Sequence, residues 1–103
     1  MSNKIKIPKR FKIFGQTVQV KFVDDLVQNH DNRGEACFRR NKILIQADCK
    51  GVRTTREQIE QVFLHETIHI LFNELCEDAM RDNEALVDKI ASALHQVFQT
   101  AEY

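Results

Sequence analysis

The chain has 103 residues, of which 43% are hydrophobic and 29% charged, and its formal net charge is zero. These values are typical of an ordinary globular domain, and with one proline and three glycines they exclude disordered, collagen-like and linker-rich sequences. A domain of this length buries roughly 60–70% of the surface of its unfolded chain, so its core needs no disulfides. We therefore expect one domain over residues 1–103.

The ends and the cysteines indicate a cellular setting. The first ten residues carry lysine and arginine but no acid, so we expect residues 1–10 to be a basic, frayed arm. They contain no apolar signal segment, and no apolar run approaches the ~20 residues of a membrane span. Cys37, Cys49 and Cys76 are widely spaced and form no C-x-x-C pair, which favours reduced thiols over metal ligands. We expect a cytoplasmic protein with no membrane partner.

The first half of the chain has the pattern of strands. Residues 17–23 alternate between apolar and polar, with the period of two that a half-buried strand requires. The polar stretch Asp24–Gly34, which contains Asn29-His30-Asp31-Asn32, predicts a loop. The two hairpins on either side of it have turns at Phe14-Gly15-Gln16 and near Arg40-Asn41. The predicted strands are Phe11–Phe14, Thr17–Val23, Ala36–Arg39 and Lys42–Ala47.

The second half has the pattern of two helices. Both Thr54-x-x-Glu57 and Thr55-x-x-Gln58 fit a capping box, so a helix is predicted from there to about Cys76. Its apolar residues cover most of its circumference, which indicates a central, buried helix. The polar connection Glu77–Asp82 leads to a second helix, Asn83–Thr100.

These elements predict an α+β fold. A small antiparallel or mixed β-sheet, formed by the N-terminal half, packs on two helices. Because the connection between the helices is short, we expect them to be antiparallel. We find no internal repeat and no second domain.

The chemistry of the chain is concentrated in His65-Glu66-Thr67-Ile68-His69. Histidines four residues apart project from one face of a helix and can bind one metal ion. Glu66 lies about 100° around the helix from His65, beside the ion rather than among its ligands. From there its carboxylate can take a proton from a zinc-bound water, whose pKa the metal lowers to near 7. Burying these residues without a metal would cost several kcal/mol.

A catalytic zinc also needs a third protein ligand. Glu84, at the start of the second helix, is the first choice, with Asp88 one turn later accepting the free N–H of a ligating histidine. Asp88 as the ligand, with Glu84 outside the site, is the alternative. Zn²⁺ is the expected ion, although Mn²⁺, Fe²⁺ or Co²⁺ also suits two histidines and a carboxylate.

Two segments carry a resemblance to a known family. Residues 62–72 (VFLHETIHILF) resemble the active-site helix of gluzincin metallopeptidases, and residues 84–91 (EALVDKIA) are similar to their second, E-x-x-x-D helix. In particular, the chain resembles the small metallopeptidases of phages and prophages related to the ImmA/IrrE group. The resemblance implies a minimal zincin-like domain in which Glu84 is the third zinc ligand and Asp88 supports the site. It also implies the cytoplasm of a bacterial cell or a phage-infected host.

The expected function is zinc-dependent hydrolysis of peptide bonds. His65, His69 and Glu84 hold Zn²⁺, and Glu66 is the general base and later the acid to the leaving amine. A peptide or protein substrate would dock by β-augmentation on an edge strand, for which we choose Lys42–Ala47. The donor that stabilises the oxyanion is unassigned: His30, His95 and Tyr103 are candidates by residue type only, and helical spacing favours a surface position for His95.

Two other functions remain open. In the first, zinc only holds the two helices of a non-catalytic binding or regulatory module, of the phage or prophage type, and Glu66 has no task. In the second, the basic N-terminus binds nucleic acid or a regulator, with a steep dependence on salt and none on chelators. No aromatic interleaving or nucleic-acid motif accompanies the lysines, so nucleic acid is not an expected partner. The presence of Glu66 favours the enzyme over both.

Overall fold

The computed structural model describes residues 4–27, 32–49 and 51–103. Within these residues four strands are followed by three helices, which confirms the predicted α+β class. The strands are β1 (Arg10–Ile13), β2 (Gln16–Val23), β3 (Gly34–Cys37) and β4 (Lys42–Gln46). The helices are α1 (Arg56–Glu74), α2 (Asp78–Arg81) and α3 (Glu84–Thr100).

The four strands form one mixed sheet in the order β1-β2-β4-β3. Strand β4 runs parallel to β2 and antiparallel to β3, so it lies inside the sheet with a neighbour on each side. The choice of Lys42–Ala47 as the edge strand is therefore wrong. Ile43 and Ile45 are fully buried, and an apolar strand of this kind gains most from a central position. The edges are β1 and β3, and β3 packs beside α1.

Both hairpins form, but with different turns. Phe14 and Gly15 join β1 to β2 with φ angles of 48° and 79°, the positive values that a tight two-residue hairpin turn requires. In the second hairpin, the strand predicted to reach Arg39 ends at Cys37, because Phe38–Arg40 forms one turn of 3-10 helix.

The predicted loop Asp24–Gly34 is described only in part. Residues 28–31 lie outside the described residues, and with them His30, one of the candidate oxyanion donors. Gly34 is the first residue of β3 and pairs with Ile45. The Gln46 amide donates to the carbonyl of Arg33 over 2.8 Å, so the backbone pairing extends one residue before the strand.

Helix α1 begins at one of the two predicted capping boxes. The Gln58 amide donates to Thr55 Oγ1 over 3.2 Å, and the Thr55 amide donates to Gln58 Oε1 over 2.9 Å. This exchange satisfies two of the amides that the N-terminus of a helix leaves without a partner. Thr54 precedes the cap, is buried, and accepts a hydrogen bond from Arg33 instead.

The connection between the long helices contains more structure than predicted. Helix α1 ends at Glu74, and Cys76 has a φ of 57°, in the left-handed region. The polar stretch Glu77–Asp82 contains the short helix α2. Asn83 Oδ1 then accepts the Leu86 amide over 3.1 Å and caps α3. None of the described helices is long and apolar enough to cross a membrane.

Helices α1 and α3 pack antiparallel, as predicted. Glu84 at the start of α3 contacts His69 late in α1, whereas His95 late in α3 contacts Glu60 early in α1. The buried core lies between the sheet and these helices. It consists of Val18, Val20, Ile43, Ile45, Phe63, Leu64, Ile68, Ile70, Val87 and Ala91.

The N-terminal segment is anchored where the structure describes it. The Ile5 amide donates to Glu60 Oε2 over 3.1 Å, and the Ile5 carbonyl accepts a hydrogen bond from the Arg56 guanidinium. The side chains of Ile5 and Ile7 pack against the core. The charges of residues 1–10 predict a frayed arm. In the described part of this arm, however, Ile5 and Ile7 hold the chain against the core. Residues 1–3 lie outside the described residues.

Candidate metal centre

The two histidines of α1 meet the first residue of α3. His65 and His69 are one helical turn apart, and their Nε2 atoms are separated by 3.2 Å. The cap at Asn83 sets where α3 begins, and so positions Glu84. Glu84 Oε2 lies 3.0 Å from His65 Nε2, and its Oε1 lies 3.1 Å from His69 Nε2. The structure thus brings together the three residues predicted as metal ligands.

These separations fit a tetrahedral metal ion. Zinc bound at 2.0–2.1 Å by nitrogen and oxygen places neighbouring ligand atoms about 3.3–3.4 Å apart. The three observed separations are 3.2, 3.0 and 3.1 Å, and the two that involve Glu84 are made by different oxygens of its carboxylate. With one atom taken from each residue, the ligand atoms lie within 4.8 Å of one another. The three side chains therefore need only small shifts, with the contacting atoms moving slightly apart, to hold such an ion. Two imidazoles and one carboxylate suit zinc and also Fe²⁺, Mn²⁺ or Co²⁺. The donor set fits zinc without identifying it.

The Nδ1 atoms of the two imidazoles point away from the cluster, and their contacts orient the rings so that the Nε2 atoms point into it. We call Nδ1 the outer and Nε2 the inner nitrogen. His69 Nδ1 lies 2.7 Å from the carbonyl oxygen of Arg81. Because a carbonyl can only accept, Nδ1 donates, and the neutral ring then presents its Nε2 lone pair to the site. His65 Nδ1 lies 3.5 Å from Asp88 Oδ1, a carboxylate that can accept in the same way. With Asp88 at an outer nitrogen and Glu84 at the inner ones, the geometry favours Glu84 as the ligand.

The Arg81 carbonyl was not found from the sequence. It is positioned by the short helix α2 and by the Arg81 side chain, which donates to Asn73 Oδ1 over 2.8 Å and lies 5.3 Å from the centre of the Phe38 ring. A hydrogen bond from Arg81 also holds the pKa of the Asp82 carboxyl below its usual range. No sequence motif marks a backbone carbonyl, so only the fold could place this group.

Glu66 lies beside the three candidate ligands, and its carboxylate is unpaired. Its side chain accepts no hydrogen bond from a described residue although the residue is only 8% exposed. Every fully buried polar side-chain atom of the described residues has a partner, so the Glu66 oxygens reach solvent. Burial raises the pKa of Glu66 to about 7; His65 opposes the shift, and the carboxylates of Glu84 and Glu35 add to it. Such a pKa suits proton transfer at neutral pH.

Gly34 allows the edge strand to approach Glu66. A Cβ atom at this position would overlap Val62 Cγ1 and would lie 3.2 Å from both Glu66 Cγ and Glu66 Oε2. Only glycine leaves room for β3 this close to α1. The sequence analysis placed Gly34 at the end of a loop and missed this role, for which a glycine next to a strand pattern was the available signal.

Two cavities meet at Glu66 along the edge strand. The first has a volume of about 550 Å³ and extends toward the start of α1, past Val62 and Gln61. The second has a volume of about 330 Å³ and extends toward α2, past Phe38. Gly34, His65 and Glu66 line both. Together the cavities form an open cleft that runs along β3 and crosses the candidate metal centre.

The other candidates lie elsewhere or outside the described residues. His95 is not on the surface: it is 3% exposed and its Nε2 donates to Glu60 over 2.9 Å. Neither residue lines the cleft. Tyr103 is fully exposed and borders a different cavity, beside Ile5. His30 is outside the described residues. The three cysteines are free thiols, and within the described part of the chain none joins the metal-ligand cluster.

No protein-family model matches the chain, and neither a curated protein nor a solved structure matches it. The resemblance to gluzincin metallopeptidases therefore rests on the motif residues alone.

Proposed function

We propose that this protein is a zinc-dependent metallopeptidase, in which His65, His69 and Glu84 hold the metal and Glu66 is the general base. The observation that carries the proposal is the contact of the two Nε2 atoms with each other and with the two Glu84 oxygens, at 3.2, 3.0 and 3.1 Å. Beside them lies the Glu66 carboxylate, which has no hydrogen-bond partner among the described residues. A purely structural metal site would have no use for that carboxylate, because its partial burial, which raises its pKa to about 7, disfavours the ionised form and costs stability.

Each residue of the site has a separate role in the proposed hydrolysis. Zinc, when bound, would supply a Lewis acid that makes water acidic near neutral pH and polarises a carbonyl. Glu66 takes a proton from the attacking water and delivers it to the leaving amine. Its elevated pKa belongs to the site without an ion; a bound dication favours the carboxylate form, which is the form that acts as base. Asp88 and the Arg81 carbonyl hold the two imidazoles in orientation.

The proposed substrate is an extended peptide or protein segment. It would pair by β-augmentation with β3, the edge strand that borders the metal centre, in place of the interior strand chosen from the sequence. Gly34 would let its backbone pass close to Glu66. We place this activity in the cytoplasm, of a bacterial cell or a phage-infected host; the free thiols of the cysteines support a reducing compartment.

A non-catalytic role for the metal is the second candidate. Glu84 belongs to α3 and the histidines to α1, so an ion at this site would also join the two helices. In a zinc-stabilised binding or regulatory module Glu66 would be dispensable. The third hypothesis, binding through a basic arm, has less support, because Ile5 and Ile7 are held against the core.

The test is peptide hydrolysis by the zinc-loaded protein and by its Glu66→Gln variant. A library of extended peptides should be cleaved by the wild type, and the variant should be slower by about 10²–10⁴-fold, the usual contribution of a general base. Metal content, measured in both proteins, should be equal, because Glu66 is not a ligand. Equal cleavage rates in the two proteins, or no cleavage by the zinc-loaded wild type, would reject the enzyme and leave the zinc-stabilised module.

A further inference from the structure

Arg33 is the single lysine or arginine among the described residues that line the two cavities. It precedes β3 and faces the larger cavity, which also contains the first turn of α1. The other charged groups along the cleft are carboxylates. They are Glu35, Glu57, Glu66, Asp82, Glu84 and Asp88.

The Arg33 side chain is fixed by hydrogen bonds. Its Nη1 donates to the carbonyl oxygen of Arg53 over 3.0 Å and to Thr54 Oγ1 over 3.1 Å. Thr54 is only 6% exposed and adjoins the capped start of α1, so its hydroxyl is a rigid anchor. The Nε and Nη2 groups donate to no described residue. A planar guanidinium held at one nitrogen still offers two N–H groups on its other side, the arrangement that binds a carboxylate with two parallel hydrogen bonds.

The surroundings of Arg33 restrict where an anion could bind. Carboxylates repel an acidic group along the smaller cavity and near Glu66. The carboxylate of Glu57, in the first turn of α1, lines the same cavity and opposes the positive end of that helix. The group that offsets the repulsion is therefore the fixed cation of Arg33. Asp88, also in this cavity, is turned to His65. A negative group of a bound peptide is therefore favoured at one point of the cleft.

We propose that Arg33 determines specificity by binding a carboxylate of the peptide substrate, on the side of the metal centre toward the start of α1. This deepens the proposed function and rests on it. The carboxylate can be an aspartate or glutamate side chain or the C-terminal carboxylate of the peptide. Both offer the same two oxygens, and the experiment distinguishes them.

The experiment uses pairs of peptides that differ in one charge. In one set each peptide has blocked ends and contains glutamate or glutamine at a single position; in the other, the same neutral peptide ends in a free or an amidated C-terminus. Binding is measured by calorimetry in the zinc-loaded Glu66→Gln protein, so that no peptide is consumed, and hydrolysis is measured in the wild type. We expect one set to show about a tenfold preference for the carboxylate, in Kd and in KM rather than kcat, as a charge-assisted hydrogen bond supplies.

Three variants complete the test, each added to the Glu66→Gln protein for binding. Arg33→Gln should abolish the preference, and Arg33→Glu should reverse it, so that a lysine-containing peptide binds better than its glutamine partner. Arg10→Gln on the far edge strand β1, the matched control, should keep it. The reversal is a result that a merely structural role of Arg33 would not give.

The outcomes separate this inference from the function on which it rests. Carboxylate preference without hydrolysis by the wild type would support Arg33 and reject the peptidase. Hydrolysis with no carboxylate preference in either set, or a preference that survives Arg33→Gln, would reject the role of Arg33 and leave the peptidase in place. Failure of every peptide to bind would also overturn the inference.

Discussion

Helices α1 and α3 are joined by two clusters of histidine and glutamate that differ in how completely their hydrogen bonds are satisfied. In the buried cluster, Glu60 accepts from His95, from Arg56 and from the Ile5 amide, and Glu60 is 2% exposed. The metal-site cluster consists of His65, His69 and Glu84, with Glu66 beside them. Its Nε2 atoms and carboxylate oxygens lie close together, and they have fewer donors than acceptors. The Glu84 side chain is 70% exposed.

The comparison shows how the same residue types serve two purposes. The carboxylate of Glu60 is surrounded by donors, so it is satisfied by the protein and needs nothing from outside. His69 donates outward to Arg81 and therefore faces its neighbours with an acceptor. A cation placed among such acceptors would satisfy their lone pairs together. The buried cluster is therefore satisfied within the fold, whereas the arrangement of the metal-site cluster supports the proposal that it binds a cation.

The largest expected difference between the clusters is in stability. Glu60→Gln places an amide against three donors and should lower the free energy of unfolding by about 3–5 kcal/mol, the usual cost of removing one partner of a buried pair. Glu66→Gln is the matched substitution in the metal-site cluster. It removes an unpaired carboxylate and should leave the stability of the metal-free protein unchanged or higher. Urea denaturation of both variants without metal measures this; an equal loss in the two would contradict the distinction.

The approach of β3 to α1 should tolerate no side chain at position 34. Gly34→Ala pushes a methyl group into Val62 and against Glu66, and overpacking of this kind costs about 1–3 kcal/mol. The double variant Gly34→Ala with Val62→Ala removes the more severe overlap and should recover part of the loss. Thermal or urea unfolding of the single and double variants checks it. If the double variant showed the summed losses of the two single ones, the contact would not be the cause.

The carboxylate behind His65 should matter for metal affinity more than for stability. Asp88→Asn removes the charge that faces His65 Nδ1 at 3.5 Å, and loss of a partner that orients a ligating imidazole typically costs 10–100-fold in affinity. Asp48→Asn, at an exposed position outside the cleft, is the control and should bind metal like the wild type. Competition with a chromophoric chelator gives both constants, and an unchanged affinity in Asp88→Asn would remove Asp88 from the site.

Acid should weaken the buried cluster. Burial alone would raise the pKa of Glu60, but the hydrogen bonds from His95, Ile5 and Arg56 outweigh it and hold the pKa below its ordinary value of 4.5. A depressed pKa stabilises the fold above about pH 4.5, and that contribution is lost as the pH falls through the folded-state value. The stability difference between wild type and Glu60→Gln should therefore shrink below about pH 4.5 in pH-dependent urea titrations. A difference that stays constant down to acid unfolding would argue against an ionised Glu60.

Local rules made the metal-site cluster readable from the sequence. The spacing of the two histidines and the capping box determine which face of α1 carries the site. The short connection to α3 then limits which residues of α3 can lie opposite, so Glu84 and Asp88 could be chosen by spacing. The tight connection puts Glu84 beside His69 even though α2 was not anticipated.

Contacts between distant parts of the chain could not be read in this way. Whether Lys42–Gln46 lies inside the sheet depends on the crossover between β2 and β3, which no local pattern encodes. The pairing of His95 with Glu60 spans 35 residues, and helical spacing alone suggested a surface position. Ile5 was judged by the charges around it, whereas its backbone bonds to Glu60 and Arg56 fix its place.

Elemental analysis of the purified protein after incubation with zinc and removal of the excess tests the central claim most directly. The wild type should hold about one zinc per chain, as should Glu66→Gln, while His69→Ala should hold almost none because a tetrahedral site cannot lose a ligand without a large loss of affinity. Circular dichroism of each variant, recorded alongside, shows that it is folded. Absence of zinc from the folded wild type, or its full retention in His69→Ala, would contradict the account.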